Sequence, residues 1–354
     1  MQAQSKRGGL AAVAKAAGVS PATVSRAFNQ PELVNEEVRA RILSIAAQQQ
    51  YRPDPAARAL RSRRTHMIGV ALPTLDYSIF ARLINRFQAR FATEGYTTIL
   101  LTTGFDNRDI HASVQLLLDR GAEAVLLVGA VEDPRVLEIA HETQAPFVTT
   151  YTFPPQSAVP AVGFANDHAT EQAVRYLLSI GHRRFAMIAG LTDGNDRQRD
   201  RIAAFRRCLA QAGAIGSDRI VCHGFDMAAG GLALADIVTR FPDTTAIVCN
   251  TDIFAVGALA ECRKRGIRVP DDLSIVGFDD AEYAPLLDPP LTTIAVPAEE
   301  MGLKAAEALL TALKTKSRPQ PLCLETRLTL RGSTAPPSDK VVTAAAGSRR
   351  GPQS

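Results

Sequence analysis

The sequence predicts two unlike parts: a small all-α head, then an α/β body of two doubly wound parallel-sheet lobes. Three observations carry this. The first fifty residues show helical apolar spacing and no strand-like run. From Met67 onward, short strand-like runs alternate with amphipathic helical stretches, the pattern of parallel sheets covered on both faces. Between the two lies YRPDPAARALRSRRTH (51–66), broken by Pro53 and Pro55. The length of 354 residues accommodates two or three domains. Charge divides along the same line: residues 1–64 hold eleven Lys or Arg against four Asp or Glu, so a whole-chain balance of +4 conceals a head of +7. A basic head on a mildly acidic body suggests a polyanion-binding module joined to something else.

The first helix opens at Leu10 and stops at Gly18, which tolerates positive φ. Ser20 starts the second: its hydroxyl can cap the Thr23 amide, and Pro21 takes the first helical position, where a missing N–H costs nothing. A third begins at Asn35, with Glu36 and Glu37 near its positive end and Val38, Ile42, Ile45 and Ala46 on one stripe. The first two have helix-turn-helix spacing. Ala14 and Ala17 let the helices approach, and Val19 and Val24 seal the angle. In that motif the second helix enters the DNA major groove. The DNA-facing set is then Ser20, Pro21, Ala22, Thr23, Ser25 and Arg26, with Arg26 suited to guanine O6 and N7 and the hydroxyls to phosphates. A plain helical hairpin would share this spacing; the +7 balance and the proline-broken segment favour the DNA reading. Pro55 can begin a helix through about Arg61, too short to be stable alone, which should order only against a partner.

In the body, strand-like runs fall at 67–73, 97–103, 124–129, 146–151, 185–190, 219–224, 246–250 and 273–280. About 260 residues of such alternation exceed one open sheet, hence two lobes, with ligands expected beyond the carboxyl ends of the strands. The segment from about Ala335 lacks hydrophobic periodicity and reads as a disordered tail without leucine heptads. No apolar run could span a bilayer, and the N-terminus lacks a long apolar leader core. Five cysteines (208, 222, 249, 262 and 323) form no CxxC pair. The expectation is a cytoplasmic protein without membrane contact, disulfides or thiolate zinc.

The run GVSPATVSRAFNQPELVNEEVRARILSIAAQQQYRPDPAARALRS resembles the head of the lac-repressor-type (LacI/GalR) transcription regulators, and the resemblance runs from about Leu10 to Leu330. It implies a homodimeric, sequence-specific regulator, read as a repressor, on double-stranded palindromic operator DNA. It also implies a hinge helix that folds on the operator and presses a leucine, here Leu60, into the minor groove. Pro21 and Ala22 occupy positions that choose base pairs in that family. Neither hydrogen-bonds through its side chain, so they offer apolar contact and leave polar readout to Arg26. Gly9 and Ala12 stand where the family has a hydroxyl cap and an acid, which weakens the first helix's N-cap.

The body resembles the periplasmic-binding-protein-like sensor of the same family through GHRRFAMIAG (181–190), RIAAF (201–205), TDIFAVGAL (251–259), GIRVPDDLSIVGFDD (266–280) and DPPLTTI (288–294). This implies a small-molecule effector, a sugar or sugar acid, held between the lobes. By position Arg201 reaches into the cleft and Asp279 accepts from ligand hydroxyls. Thr251 stands where many members have asparagine; Asp252 reads equally as a cap or a contact. Phe225 matches a pocket aromatic, and Tyr77 and Phe80 precede or open the first body helix; aromatic faces suit the apolar side of a sugar ring, though each could equally be core. Asn166 matches a residue near the lobe crossover, and Ala165 replaces the acid that precedes it, which favours an anionic ligand.

The expected domains are a head at 1–50, a hinge at 51–65 and a body at 66–334, with the tail at 335–354. Lobe 1 covers about 66–164 and 293–322, and lobe 2 about 165–292 and 323–334. An exported sugar-binding protein would need a leader. An enzyme would need a site, and the sequence has no GxGxxG, GKS/GKT or GxSxG motif and no metal-spaced histidines. No cofactor or metal is expected.

Overall fold

The computed structural model describes residues 9–52 and 64–338, which divide into two compact units at His66–Met67. In the first unit α1 (Leu10–Ala17), α2 (Pro21–Asn29) and α3 (Glu36–Gln48) enclose a core of Val13, Ala14, Ala17, Val24, Ala27, Ile42 and Ala46. Gly18, at φ 65°, turns the chain out of α1, and the Val19 amide closes on the Ala14 carbonyl at 3.0 Å. Ser20 Oγ accepts from the Thr23 amide at 3.1 Å, and Asn35 Oδ1 accepts from the amides of Glu37 and Val38. At Gly9 no side chain caps α1. The expected hinge helix, with Leu60, lies outside the described residues.

The second unit contains two six-stranded sheets. In chain order its first part runs β1 (Met67–Leu72), α4 (Ser78–Ala92), β2 (Thr97–Thr102), α5 (Ile110–Asp119), β3 (Ala122–Val128), α6 (Pro134–Glu142), β4 (Phe147–Thr150) and β5 (Ala161–Gly163). The chain then crosses to α7 (Asn166–Ser179), β6 (Phe185–Gly190), α8 (Asp196–Ala212), β7 (Ile220–His223), α9 (Met227–Arg240), β8 (Ala246–Cys249), α10 (Asp252–Arg265), β9 (Ser274–Asp279) and β10 (Thr292–Ala295). It returns through α11 (Ala298–Thr315) and β11 (Leu322–Cys323), and ends with β12 (Arg327–Thr329). The sheet orders are β11–β5–β4–β3–β1–β2 and β12–β10–β9–β8–β6–β7, parallel throughout except for β12 on β10. Strands such as β6 and β9 are buried along their whole length, as sheets covered on both faces require.

Helix α4 turns Ile79, Phe80, Leu83, Ile84, Phe87 and Phe91 inward, and α11 packs along it. The approach is backbone-close: a Cβ on Gly302 would fall 2.1 Å from the Leu83 carbonyl oxygen. Gly302→Ala is therefore expected to destabilise the body by about 1–3 kcal/mol, the usual range for overpacking. Chemical denaturation measures this, and an unchanged midpoint would mean the helices can slide apart at no cost.

Two sequence expectations need adjustment. Thr292–Ala295 pairs with β9, Thr292 opposite Val276, so the second lobe crossing follows Ala295 rather than preceding residue 293. Cys323 pairs with Gly163, and the Leu324 amide still bonds the Gly163 carbonyl at 2.7 Å, so the third crossing lies beyond residue 322. Order also extends past the expected start of the tail. Ala335 donates its amide to Ser274 Oγ, and its carbonyl accepts from His182 Nε2 at 2.9 Å. Buried His182 is thus structural, and its burial pushes its pKa down.

Candidate functional site

In the head, Ser20, Pro21, Ala22 and Arg26 are exposed along α2, and Thr23 and Ser25 are partly so. Val24 and Ala27, on the opposite face, are buried against the other helices. Ser20 Oγ also meets Thr23 Oγ1 at 2.9 Å, which fixes the first turn of α2. Asn29 Nδ2 donates to the Ser25 carbonyl at 2.9 Å and to its hydroxyl at 3.3 Å. Lys15, Arg39, Arg41 and Arg52 are exposed on the same unit. A capped helix N-terminus with exposed Arg26 and surrounding cations can meet a phosphate backbone while offering a guanidinium to base edges. Leu60 cannot be placed with them, since it lies outside the described residues.

In the body, Tyr77, Phe80, Arg201, Phe225, Thr251 and Asp279 all line one cavity between the sheets, of about 40 Å³. The walls come from strand ends: Asn250 and Thr251 follow β8, and Asp279 ends β9. Tyr151 follows β4. Tyr151 and Asp279 have φ of 64° and 119°, conformations that non-glycine residues adopt at a cost. Hydrogen bonds hold both. The Tyr151 hydroxyl donates to Asp279 Oδ1, Thr251 Oγ1 donates to Asp279 Oδ2 at 2.9 Å, and Asn166 Nδ2 donates to the Tyr151 carbonyl at 3.0 Å.

Arg201 is 2% exposed. It donates from Nε to Asn166 Oδ1 at 2.8 Å and from Nη1 to the Asn250 carbonyl at 2.6 Å, and its guanidinium lies 3.5 Å from the Phe278 ring centroid. Burial raises the pKa of Asp279, while Arg201 opposes the rise. Asp252 does not line this cavity. Its carboxylate accepts from Thr293 Oγ1 at 2.6 Å and the Ala281 amide at 2.8 Å, tying α10 to β10 and to the loop after β9.

Aromatic rings close the cleft from both sides. Phe225 stacks on Phe105 at 3.8 Å and on Phe254 at 5.7 Å, and its carbonyl accepts from the Tyr77 hydroxyl. A Cβ on Gly190 would fall 2.1 Å from the Phe225 ring, so only glycine admits it. Next to this wall a second cavity of about 430 Å³ opens past Tyr77, Phe225 and Asp279 towards Asp226 and Glu282. A larger hollow of about 850 Å³ lies elsewhere, between α6, the start of β4 and the end of α11, and holds none of the residues named from sequence.

Sequence reasoning missed Phe105, Tyr151, Asn195, Arg197, Gln198 and Asn250, all of which line the cleft. Arg197 had a usable signal, because it lies one helical turn before Arg201 and two before buried Phe205. Asp196 and Arg197 reach across to the first sheet: Asp196 Oδ2 accepts from the Ala130 amide at 3.0 Å, and Arg197 Nη1 donates to the Val128 carbonyl at 3.3 Å.

Residues 10–54 match the model of bacterial regulatory proteins of the lacI family, and residues 174–334 match that of the periplasmic binding protein-like domain. The chain is 31% identical over 338 residues to the HTH-type transcriptional repressor CytR of Escherichia coli (strain K12), covering 91% of this chain and 95% of that protein. It shares its fold with the lac repressor dimer bound to operator and the anti-inducer ONPF (TM-score 0.83, 24% identity, 92% of this chain and 99% of that one). It is also similar to the transcriptional regulator CelR in complex with cellobiose (TM-score 0.67, 28% identity, 92% and 99% covered). Among the described residues no helix is long and apolar enough to cross a membrane. A helix-turn-helix head, two parallel-sheet lobes and this near full-length similarity make one conclusion: the chain belongs to the lacI family of bacterial regulatory proteins and is a DNA-binding transcriptional regulator, not an enzyme.

Proposed function

We propose that the protein is a cytoplasmic repressor, acting as a homodimer on a two-fold symmetric operator, whose DNA affinity is set by a sugar or sugar acid bound in the interlobe cleft. The observation that carries the effector reading is the convergence of Tyr77, Phe80, Arg201, Phe225, Thr251 and Asp279 on one cavity at the carboxyl ends of the strands, where open α/β sheets take ligands. Aromatic faces beside a guanidinium and a carboxylate suit a hydroxylated ring, and CelR was captured with cellobiose. The cavity of about 40 Å³ is far below the ~300–1,000 Å³ of pockets that enclose small-molecule ligands. A sugar must therefore part Phe105 from Phe225 and Tyr77 from the Phe225 carbonyl, which separates the lobes. That movement is the two-state element through which effector and operator couple.

On the DNA side Arg26 reads a base edge, Pro21 and Ala22 give apolar contact, and Ser20, Thr23 and Ser25 approach phosphates. Leu60 is the minor-groove wedge. Arg26→Ala is expected to weaken binding to an operator chosen by in vitro selection by about 10- to 100-fold per half-site, the worth of one bidentate base contact. Titration of the full chain on that oligonucleotide, with and without candidate effectors, tests both halves. Unchanged affinity in the Arg26 variant would remove the readout assignment, and an effector without influence on the titration would remove the coupling.

A further inference from the structure

The cleft contains two buried polar atoms that make no hydrogen bond, and their chemistry narrows the effector. They are Arg197 Nη2 and Asn250 Oδ1. Arg197 is 4% exposed and Asn250 fully buried, and both line the cavity of about 40 Å³, so one small ligand fragment can reach both. The orientation of the Asn250 amide follows from its neighbours. Gln198 presents an oxygen, because it accepts from the Gly190 amide at 2.8 Å. Asn250 therefore turns Nδ2 to that oxygen, at 2.9 Å, and its own Oδ1 faces away.

The other polar groups of the cleft are used in the following way. Both Asp279 oxygens already accept, from Tyr151 and Thr251, and Arg201 uses Nε and Nη1 on Asn166 and Asn250. Arg197 uses Nη1 on Val128 and Asp196, and Asp196 is itself held by the Ala130 amide. Among the fully buried atoms of the cleft, those that stay open are one cationic amino group and one neutral acceptor, against aromatic faces. A buried open donor on a guanidinium is costly to leave unmade and is best met by an anionic oxygen. The acceptor asks for a hydroxyl.

We infer that the effector is a polyhydroxylated carboxylate, an aldonate or uronate rather than a neutral sugar, with its carboxylate on Arg197 Nη2 and a neighbouring hydroxyl donated to Asn250 Oδ1. Nη2 carries two open N–H bonds, and in a cavity of about 40 Å³ a planar carboxylate is the smaller anion to bring to them than a tetrahedral phosphate ester. This rests on the cleft being the effector site, as proposed above.

The test is a matched comparison on the full chain by calorimetry and thermal shift, since the protein has no tryptophan to report binding. Galacturonate, glucuronate, galactonate and gluconate are set against galactose, glucose and glucose 6-phosphate. At least one acid is expected to bind about 10- to 100-fold more tightly than its neutral parent, the range for one charge-assisted hydrogen bond. Arg197→Gln should erase that preference, and Arg197→Lys, which keeps the charge, should restore part of it. The wild-type comparison stands even where a variant folds poorly. Neutral parents or the phosphate binding as tightly as the acids, an acid preference untouched by Arg197→Gln, or no acid binding at all would overturn the inference. A neutral sugar whose binding is lost in Arg201→Met but kept in Arg197→Gln overturns it while the cleft reading survives. Ligand binding indifferent to Arg201→Met overturns both.

Discussion

Replacing Arg201 with methionine is expected to lower the stability of the body by about 3 kcal/mol and to abolish its response to effector. Methionine fills most of the volume, so packing against Phe278 is largely kept and the loss is polar. Asn166 Oδ1 and the Asn250 carbonyl each lose a buried donor, and buried Asp279 loses the cation that opposes its desolvation. The position also explains why the effect should be functional. Arg201 stands on α8 and bonds the first residue of α7, directly after a lobe crossing, and the end of β8, where the cleft begins. Asn166 in turn donates to the Tyr151 carbonyl of the first sheet, so this one guanidinium links both lobes through a single side chain. Urea unfolding of wild type and variant measures the stability part, and a difference below about 0.5 kcal/mol would show that water replaces the guanidinium without cost. Asp279→Asn in the Arg201→Met background should recover part of the loss, because it removes the charge left without its counter-ion.

The architecture was legible where the pattern was long. Runs such as 67–73 and 185–190 are buried on both faces, so they read as continuous apolar stretches, and the caps at Gly18, Ser20 and Asn35 mark the head helices by chemistry alone. The strands β5, β10, β11 and β12 are two to four residues long and offer no period to read, which is why the second and third lobe crossings were misplaced by a few residues. The site divides in the same way. Arg201 and Asp279 could be named by position in the family pattern. Arg197 stands in the sequence among Arg199, Arg206 and Arg207, and helix phase separates them: 197 and 201 face inward, whereas 206 and 207 face solvent. Phe105, Tyr151 and Asn250 come from separate strand ends, and only the closing of two sheets brings them together. The ambiguities at Phe225 and Asp252 resolve differently. Phe225 both lines the cleft and packs on Phe254, whereas Asp252 is a brace that the cleft cavity does not touch.

That brace should make the body less stable as pH rises, and Asp252→Asn should remove the effect. The Asp252 carboxyl is 1% exposed, and burial, then repulsion from Asp279 and to a lesser degree Asp280, pushes its pKa from 3.8 to about 8. Hydrogen bonds from Thr293 and the Ala281 amide oppose the rise without cancelling it. In the unfolded chain the same group titrates near ~3.9. Between about pH 4 and pH 8 the folded protein therefore holds a proton that the unfolded chain has released, and stability falls with pH across that window. Below it both states are protonated; above it both are ionised and the loss is complete. The slope approaches about 1.4 kcal/mol per pH unit where the difference is a full proton, so the total is a few kcal/mol. Asparagine keeps an acceptor for the Ala281 amide and can donate to Thr293 Oγ1, at nearly the same volume. Its unfolding free energy should match the wild type at pH 5 within about 1 kcal/mol and exceed it by about 2 kcal/mol or more at pH 8. Groups that do not interact with Asp252 titrate alike in both proteins and cancel in the difference, whereas Asp279 and Asp280, which repel Asp252, are part of it. Parallel stability curves would mean that Asp252 is ionised in the folded state at pH 5, and that Thr293 and Ala281 hold a charge rather than a neutral acid. In that case the first turn of α10, next to Thr251 in the cleft wall, carries a fixed negative charge, and an anionic effector would have to bind against it.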